Sequence, residues 1–235
     1  MGRRAMGWAA MIGIGVFISC LGGCHRPHYL SSATRPSLYT QVTEATQPAL
    51  EFPLTLPNSA LIAEYLVSYD GDYWEDGSGE AVKGVTGLMV YNPTDRMVAF
   101  EAIAMEQEGE TLHFFVYQLP PQSRCLVLEK GKKVYTQKPI TTCRELSTRW
   151  EHQELSREQL DYLGVGPQLT IINRDGREQE HVTLWYKQYV KEGNYYLGGV
   201  AHSTHLFFLQ PEEYRTIKPK YYNAANARIV AITLQ

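Results

Sequence analysis

His202 and His205 sit three positions apart and form the pair most like a metal motif in this sequence. Zinc needs three or four such ligands converging on one point. In a strand, residues three apart face opposite ways, and no third ligand lies near them. Ordinary surface or half-buried histidines are therefore expected, and no metal. The stretch Asp70-Gly71-Asp72-Tyr73-Trp74-Glu75-Asp76-Gly77-Ser78-Gly79-Glu80 crowds oxygen ligands onto a Gly-rich loop, as Ca²⁺ sites do. Its spacing departs from the EF-hand loop. A solvated hairpin tip is the plain expectation, and a recognition loop anchored by Tyr73 and Trp74 is the functional alternative. Cys125 with a distant His is a formal nucleophile pair, yet Arg124-Cys125-Leu126-Val127-Leu128 reads as strand interior rather than a strained turn. Paired carboxylates, a nucleophile elbow and a phosphate-cradling Gly loop are missing from the sequence. No enzyme and no cofactor are expected.

The N-terminus carries a different chemistry. Arg3 and Arg4 precede the apolar run Trp8 to Ile18, and small residues then lead to Cys24. Charge, apolar run and small residues in that order make a secretory signal. The run is short for a membrane span, which wants about 20 apolar residues. Leu21-Gly22-Gly23-Cys24 resembles the lipobox of bacterial lipoproteins. The resemblance implies removal of residues 1–23 and thioether lipidation at Cys24, with two or three acyl chains giving stable anchoring. It places the protein outside the cytoplasm, held to a bacterial membrane by that lipid. An uncleaved anchor helix and a plain cleaved signal are the alternatives.

Removing residues 1–23 takes away two arginines and no acids, so the formal charge moves from −3 to −5 over 212 residues. No basic stripe remains, and nucleic acid is excluded as an expected partner. The mature chain would keep Cys24, Cys125 and Cys143. With Cys24 lipidated, Cys125 and Cys143 are an even pair in an oxidising space, and a disulfide is expected. Two free buried thiols are the alternative.

The elements that position these residues read as strands. Residues 24–59 are rich in Ser, Thr, Pro and Gln and form a disordered or extended tether, whose apolar end, Leu50 to Leu56, lies against the body. Strand-like runs follow, with Leu112, Phe114 and Val116 on one face and His113, Phe115 and Tyr117 on the other. Both faces are largely apolar, which suits a central strand. Ser156 and Gln159 form a capping box and Gly164 a stop, so one short connecting helix is expected.

The chain also repeats itself. Gly87-Leu88-Met89-Val90-Tyr91-Asn92-Pro93-Thr94-Asp95-Arg96 overlays Gln168-Leu169-Thr170-Ile171-Ile172-Asn173-Arg174-Asp175-Gly176-Arg177. In each, a strand runs into an Asn that can cap a turn, and a long hairpin ends in Leu119-Pro120-Pro121 or Leu209-Gln210-Pro211. The offset is 81 residues at the Asn and 90 at the Leu, so the second hairpin is nine residues longer. The order resembles the immunoglobulin-like domains of bacterial surface lipoproteins. The resemblance implies an all-β fold of two tandem β-sandwiches, residues 60–145 and 146–235, without the Cys…Trp…Cys framework of antibody domains.

The second repeat is rich in aromatics. Val182, Leu184 and Tyr186 alternate with Trp185, Lys187 and Tyr189, so one face is core and the other presents Trp185 and Tyr189, joined by Tyr195 or Tyr196. Such rings stack on sugars or anchor a protein partner. Coverage of both faces is the alternative. The expected function is a non-catalytic binding module for an envelope protein or glycan. A structural spacer or assembly subunit is the second reading, and an exported hydrolase a distant third.

Overall fold

The computed structural model describes residues 48–151 and 159–234. The signal segment, Cys24, the first part of the tether and Ser156 lie outside them. Among the described residues every regular element is a strand. The first repeat contributes β2 (Ile62–Tyr73), β3 (Glu80–Asn92), β4 (Met97–Gln107), β5 (Glu110–Leu119), β6 (Ser123–Leu128) and β7 (Thr142–Glu151). The second contributes β8 (Leu160–Val165), β9 (Gln168–Asn173), β10 (Gln179–Val190), β11 (Tyr195–Leu209), β12 (Tyr214–Ile217) and β13 (Ala227–Leu234). A two-residue strand, β1 (Leu54–Thr55), precedes them and pairs with β2.

Strand order is the same in both repeats. β2-β3-β6 and β5-β4-β7 form the layers of the first, and β8-β9-β12 and β11-β10-β13 those of the second. The repeats are joined edge to edge, because β6 pairs in parallel with β11, Cys125 opposite Tyr196 and Leu126 opposite Leu197. One seven-stranded sheet, β1-β2-β3-β6-β11-β10-β13, therefore runs through both halves.

Alternation builds the cores. Leu112, Phe114 and Val116 of β5 pack on Leu88, Val90 and Val127 of the facing layer. Val182, Leu184 and Tyr186 of β10 pack on Leu169 and Ile171. A regular strand would put Val116 and Leu119 on opposite faces, yet both are buried in the first core. Gln118 lies between them at φ +47°, a left-handed residue that resets the phase as a bulge does. Phe208, its equivalent 90 positions on, has φ +53° and does the same between Leu206 and Leu209.

The Asn turns are equivalent atom by atom. Asn92 donates from Nδ2 to the carbonyls of Arg96, Leu119 and Pro120 at 2.8, 3.2 and 3.0 Å. Asn173 donates to those of Arg177, Leu209 and Gln210 at 2.8, 2.9 and 3.1 Å. Gln107 and Gln188 also correspond: each is buried and donates from Nε2 to a loop carbonyl, Lys138 at 2.6 Å and Tyr221 at 2.7 Å.

Two expectations are corrected. Residues 160–164, where the short helix should have ended, lie in β8, and Leu160, Tyr162 and Gly164 alternate in burial with Asp161, Leu163 and Val165. The capping box was a local signal, and pairing with β9 overrode it. The disulfide between Cys125 and Cys143 is also absent, and both residues are free thiols. Cys125 sits in the large sheet opposite Val90, while Cys143 sits in the facing layer opposite Met105. The Cys125 Sγ donates instead to the Gly198 carbonyl at 3.1 Å. The segment from Leu50 to Ser59 packs on the body: Leu56 and Ser59 are buried, and the Leu50 amide donates to the Ile140 carbonyl.

Candidate functional site

The nine extra residues of the second hairpin build the junction. The first hairpin closes at Gln107 and Glu110, whose equivalents are Gln188 and Val200. The second continues past that level to Val190 and Tyr195. Tyr189 and Tyr195 to Gly199 thus have no counterpart in the first repeat, and they supply the pairing with β6.

Three side chains, the buried Cys125 and Lys187 and the partly buried Glu75, grip Gly198-Gly199. Cys125 donates to the Gly198 carbonyl, as above. Lys187, with no exposed surface, donates from Nζ to the carbonyls of Gly199 at 2.7 Å, Val200 at 3.2 Å and Tyr117 at 3.0 Å. Glu75 accepts at Oε1 from the amides of Gly199 at 2.7 Å and Leu128 at 2.8 Å. Glycine is required here. A Cβ on Gly199 would stand 1.7 Å from the Phe115 carbonyl oxygen, and Gly198 has φ +81°.

Burial sets the electrostatics. It pushes the Glu75 carboxyl up to about 7, against the two amides and Lys187, which favour its charge. It lowers Lys187, which Cys125 and Glu75 partly offset. It holds the Cys125 thiol at about 11, far from thiolate chemistry.

Above this junction lies a cavity of about 530 Å³ between the repeats. This is the size of a small-molecule site. Phe115, Tyr117 and Gln118 of β5, with Leu128 and Lys130, form one wall; Trp185, Val200 and Ala201 form the other, and Glu75 and Arg149 also line it. The Lys130 ammonium stands 4.6 Å from the Phe115 ring centroid. A second groove, of about 490 Å³, shares Phe115 and Lys130 and runs along β5 past His113 and Lys133. Lys130 and Arg149 are exposed and have no ion-pair partner among the described residues. Gln118 is 7% exposed, and its Oε1 accepts no hydrogen bond. No protein-family model, curated protein or solved structure matches the chain.

Of the aromatic residues singled out from sequence, Trp185 lines the cavity. Tyr189 and Tyr196 pack ring to ring in the junction, centroids 5.4 Å apart, and Tyr195 packs beside Leu197 on a second apolar cluster. Tyr73 is in that cluster too, 1% exposed, its hydroxyl donating to the carbonyls of Glu129 and Lys130. Trp74 reaches across to the second repeat, 5.9 Å from the His202 ring and 5.3 Å from Tyr221. The acidic turn therefore spends Trp74 and Glu75 on holding the repeats together. His202 lies in this aromatic cluster, while His205 lies 3.2 Å from His181.

Phe115, Tyr117, Gln118, Lys130 and Arg149 were not singled out from sequence. The apolar second face of β5 was the available signal for the first two. That strand lies at the edge of its layer, and the second repeat covers part of its outer face.

Proposed function

We propose that this protein is a lipid-anchored, extracytoplasmic binding module without catalytic activity, and that its ligand site is the cavity between the repeats. The cavity carries the reading: it combines three aromatic side chains with two cations that have no ion-pair partner among the described residues, at the meeting of two layers. Absence of catalysis is supported by the state of the nearby ionisable groups. Lys187 spends its three N–H donors on carbonyls, Glu75 is held by two amides, and the Cys125 thiol is buried. Lys187 and Cys125 are therefore not free to attack, and Glu75 is engaged at Oε1 in holding the junction. Anchoring rests on Leu21-Gly22-Gly23-Cys24.

The immunoglobulin-like reading belongs to the same proposal. In that fold the A, B and E strands share one layer, and C′, C and F share the other. Taken as A, B, C, C′, E and F, the six strands of each repeat fall into those two layers.

The test uses the Cys24→Ala protein, incubated with small molecules extracted from bacterial envelopes and examined by native mass spectrometry. An adduct that disappears in Ala201→Trp, where the indole fills the cavity, is the expected result. Adducts kept equally by both proteins, or none in either, would overturn the reading. A second reading, a rigid envelope spacer, is favoured by the buried grip on Gly198-Gly199. It predicts no adduct and a fixed inter-repeat distance.

A further inference from the structure

Building on the cavity as a binding site, we propose that its ligand is a small amphipathic anion: a flat apolar body with an acidic group at one end. The shape of the site orders these parts. Arg149 and Lys130 are its exposed cations and have no ion-pair partner among the described residues, so the acidic group belongs at the mouth. Arg149 suits a carboxylate, sulfonate or phosphate, because its guanidinium offers paired donors to two oxygens.

The body of the ligand lies between aromatic faces. Phe115 and Tyr117 stand on β5 and Trp185 on β10, with Val200, Ala201 and Leu128 completing an apolar lining. Apolar walls with few polar groups are the usual composition of small-molecule sites. The volume of about 530 Å³ is that of a small-molecule site.

Glu75 fixes the polarity of the guest. It lines the cavity beside the junction, and the amides of Leu128 and Gly199 already donate to its Oε1, so an anion pointing inward meets a carboxyl group and no free donor from those amides.

Two dyes test this directly: 8-anilinonaphthalene-1-sulfonate and its neutral analogue N-phenyl-1-naphthylamine. They share rings and N–H and differ by the sulfonate. With Cys24→Ala protein at fixed ionic strength, the sulfonate dye is expected to bind at least tenfold more tightly, with energy transfer from Trp185. Arg149→Gln combined with Lys130→Gln should remove that preference and leave the neutral dye unchanged. Equal affinities in the parent protein, or a preference that survives loss of both cations, would overturn the anion assignment while leaving the cavity as a binding site. If neither dye binds a protein whose circular dichroism is native, or if Ala201→Trp leaves dye binding intact, the cavity reading falls as well.

Discussion

Asn92 and Asn173 stand 81 residues apart and make the same hydrogen bonds to corresponding carbonyls, each tying a turn to the end of the long hairpin that follows. Each also accepts at Oδ1 from the amide two residues on, Thr94 at 3.1 Å and Asp175 at 3.0 Å. Both are fully buried. An amide is the one side chain of this size that supplies two donors and an acceptor together.

Asn92→Ala and Asn173→Ala therefore strand buried carbonyls, and each should lower stability by about 2–3 kcal/mol, or Tm by roughly 5–10 °C. Asn92→Asp keeps the shape and the acceptor but cannot donate, so it should be at least as damaging. Because β6 and β11 join the repeats in one sheet, either substitution should shift a single cooperative transition in a urea melt. Two separated transitions would show that the junction does not couple them.

The Asn turns explain why so much was readable in advance. A turn, its cap and the hairpin after it are local, so Asn92 and Asn173 announce themselves in sequence, and the nine-residue difference locates the junction segment. Pairing between distant strands leaves no such mark. Nothing near Cys125 reveals that Tyr196, 71 positions away, is its neighbour, and counting cysteines cannot show that Cys143 lies in the opposite layer. The same limit hid the cavity, whose lining comes from both repeats and meets only after β5 packs on the junction.

Gly199→Ala should open that junction. The added methyl meets the Phe115 backbone carbonyl rather than a side chain that can swing aside, so overpacking should cost about 1–3 kcal/mol or more. Lys187→Met removes donors to the carbonyls of Tyr117, Gly199 and Val200 and should have an effect of similar size. Both variants should become sensitive to protease between the repeats, while Lys191→Ala at the exposed hairpin tip should not.

Glu101 should make stability fall as pH rises. It occupies the core position that Val182 fills in the second repeat, has no exposed surface, and neither of its oxygens has a hydrogen-bond partner. Burial chiefly pushes its carboxyl up from 4.5 to about 7, with Glu145 adding to the rise against the opposing effect of Thr148 and Ser59. Glu75 is raised to a similar value. The folded state holds these protons more tightly than the unfolded chain, so their stabilisation is complete below about pH 4.5 and is lost as pH rises to about 7. Melts between pH 4 and 8 should show this slope. Glu101→Val should raise Tm at pH 8 by about 4 °C and flatten the slope, leaving the part due to Glu75. A slope of the opposite sign would refute the assignment.

The thiols offer a test that needs no ligand. In protein carrying Cys20→Ala and Cys24→Ala and purified without reductant, a thiol reagent should find Cys125 and Cys143 both reduced once guanidinium is added. Before unfolding, Cys125 should be silent: it has no exposed surface, and burial raises its thiol to about 11. Cys143 is partly buried and also raised to about 11, so it should react slowly. Cys125→Ala should leave the fold in place but loosen the junction, since Gly198 loses its donor and β6 loses volume beside β11. Recovery of a peptide pair joining Cys125 to Cys143 would mean that the two layers come closer in solution than their strand positions allow.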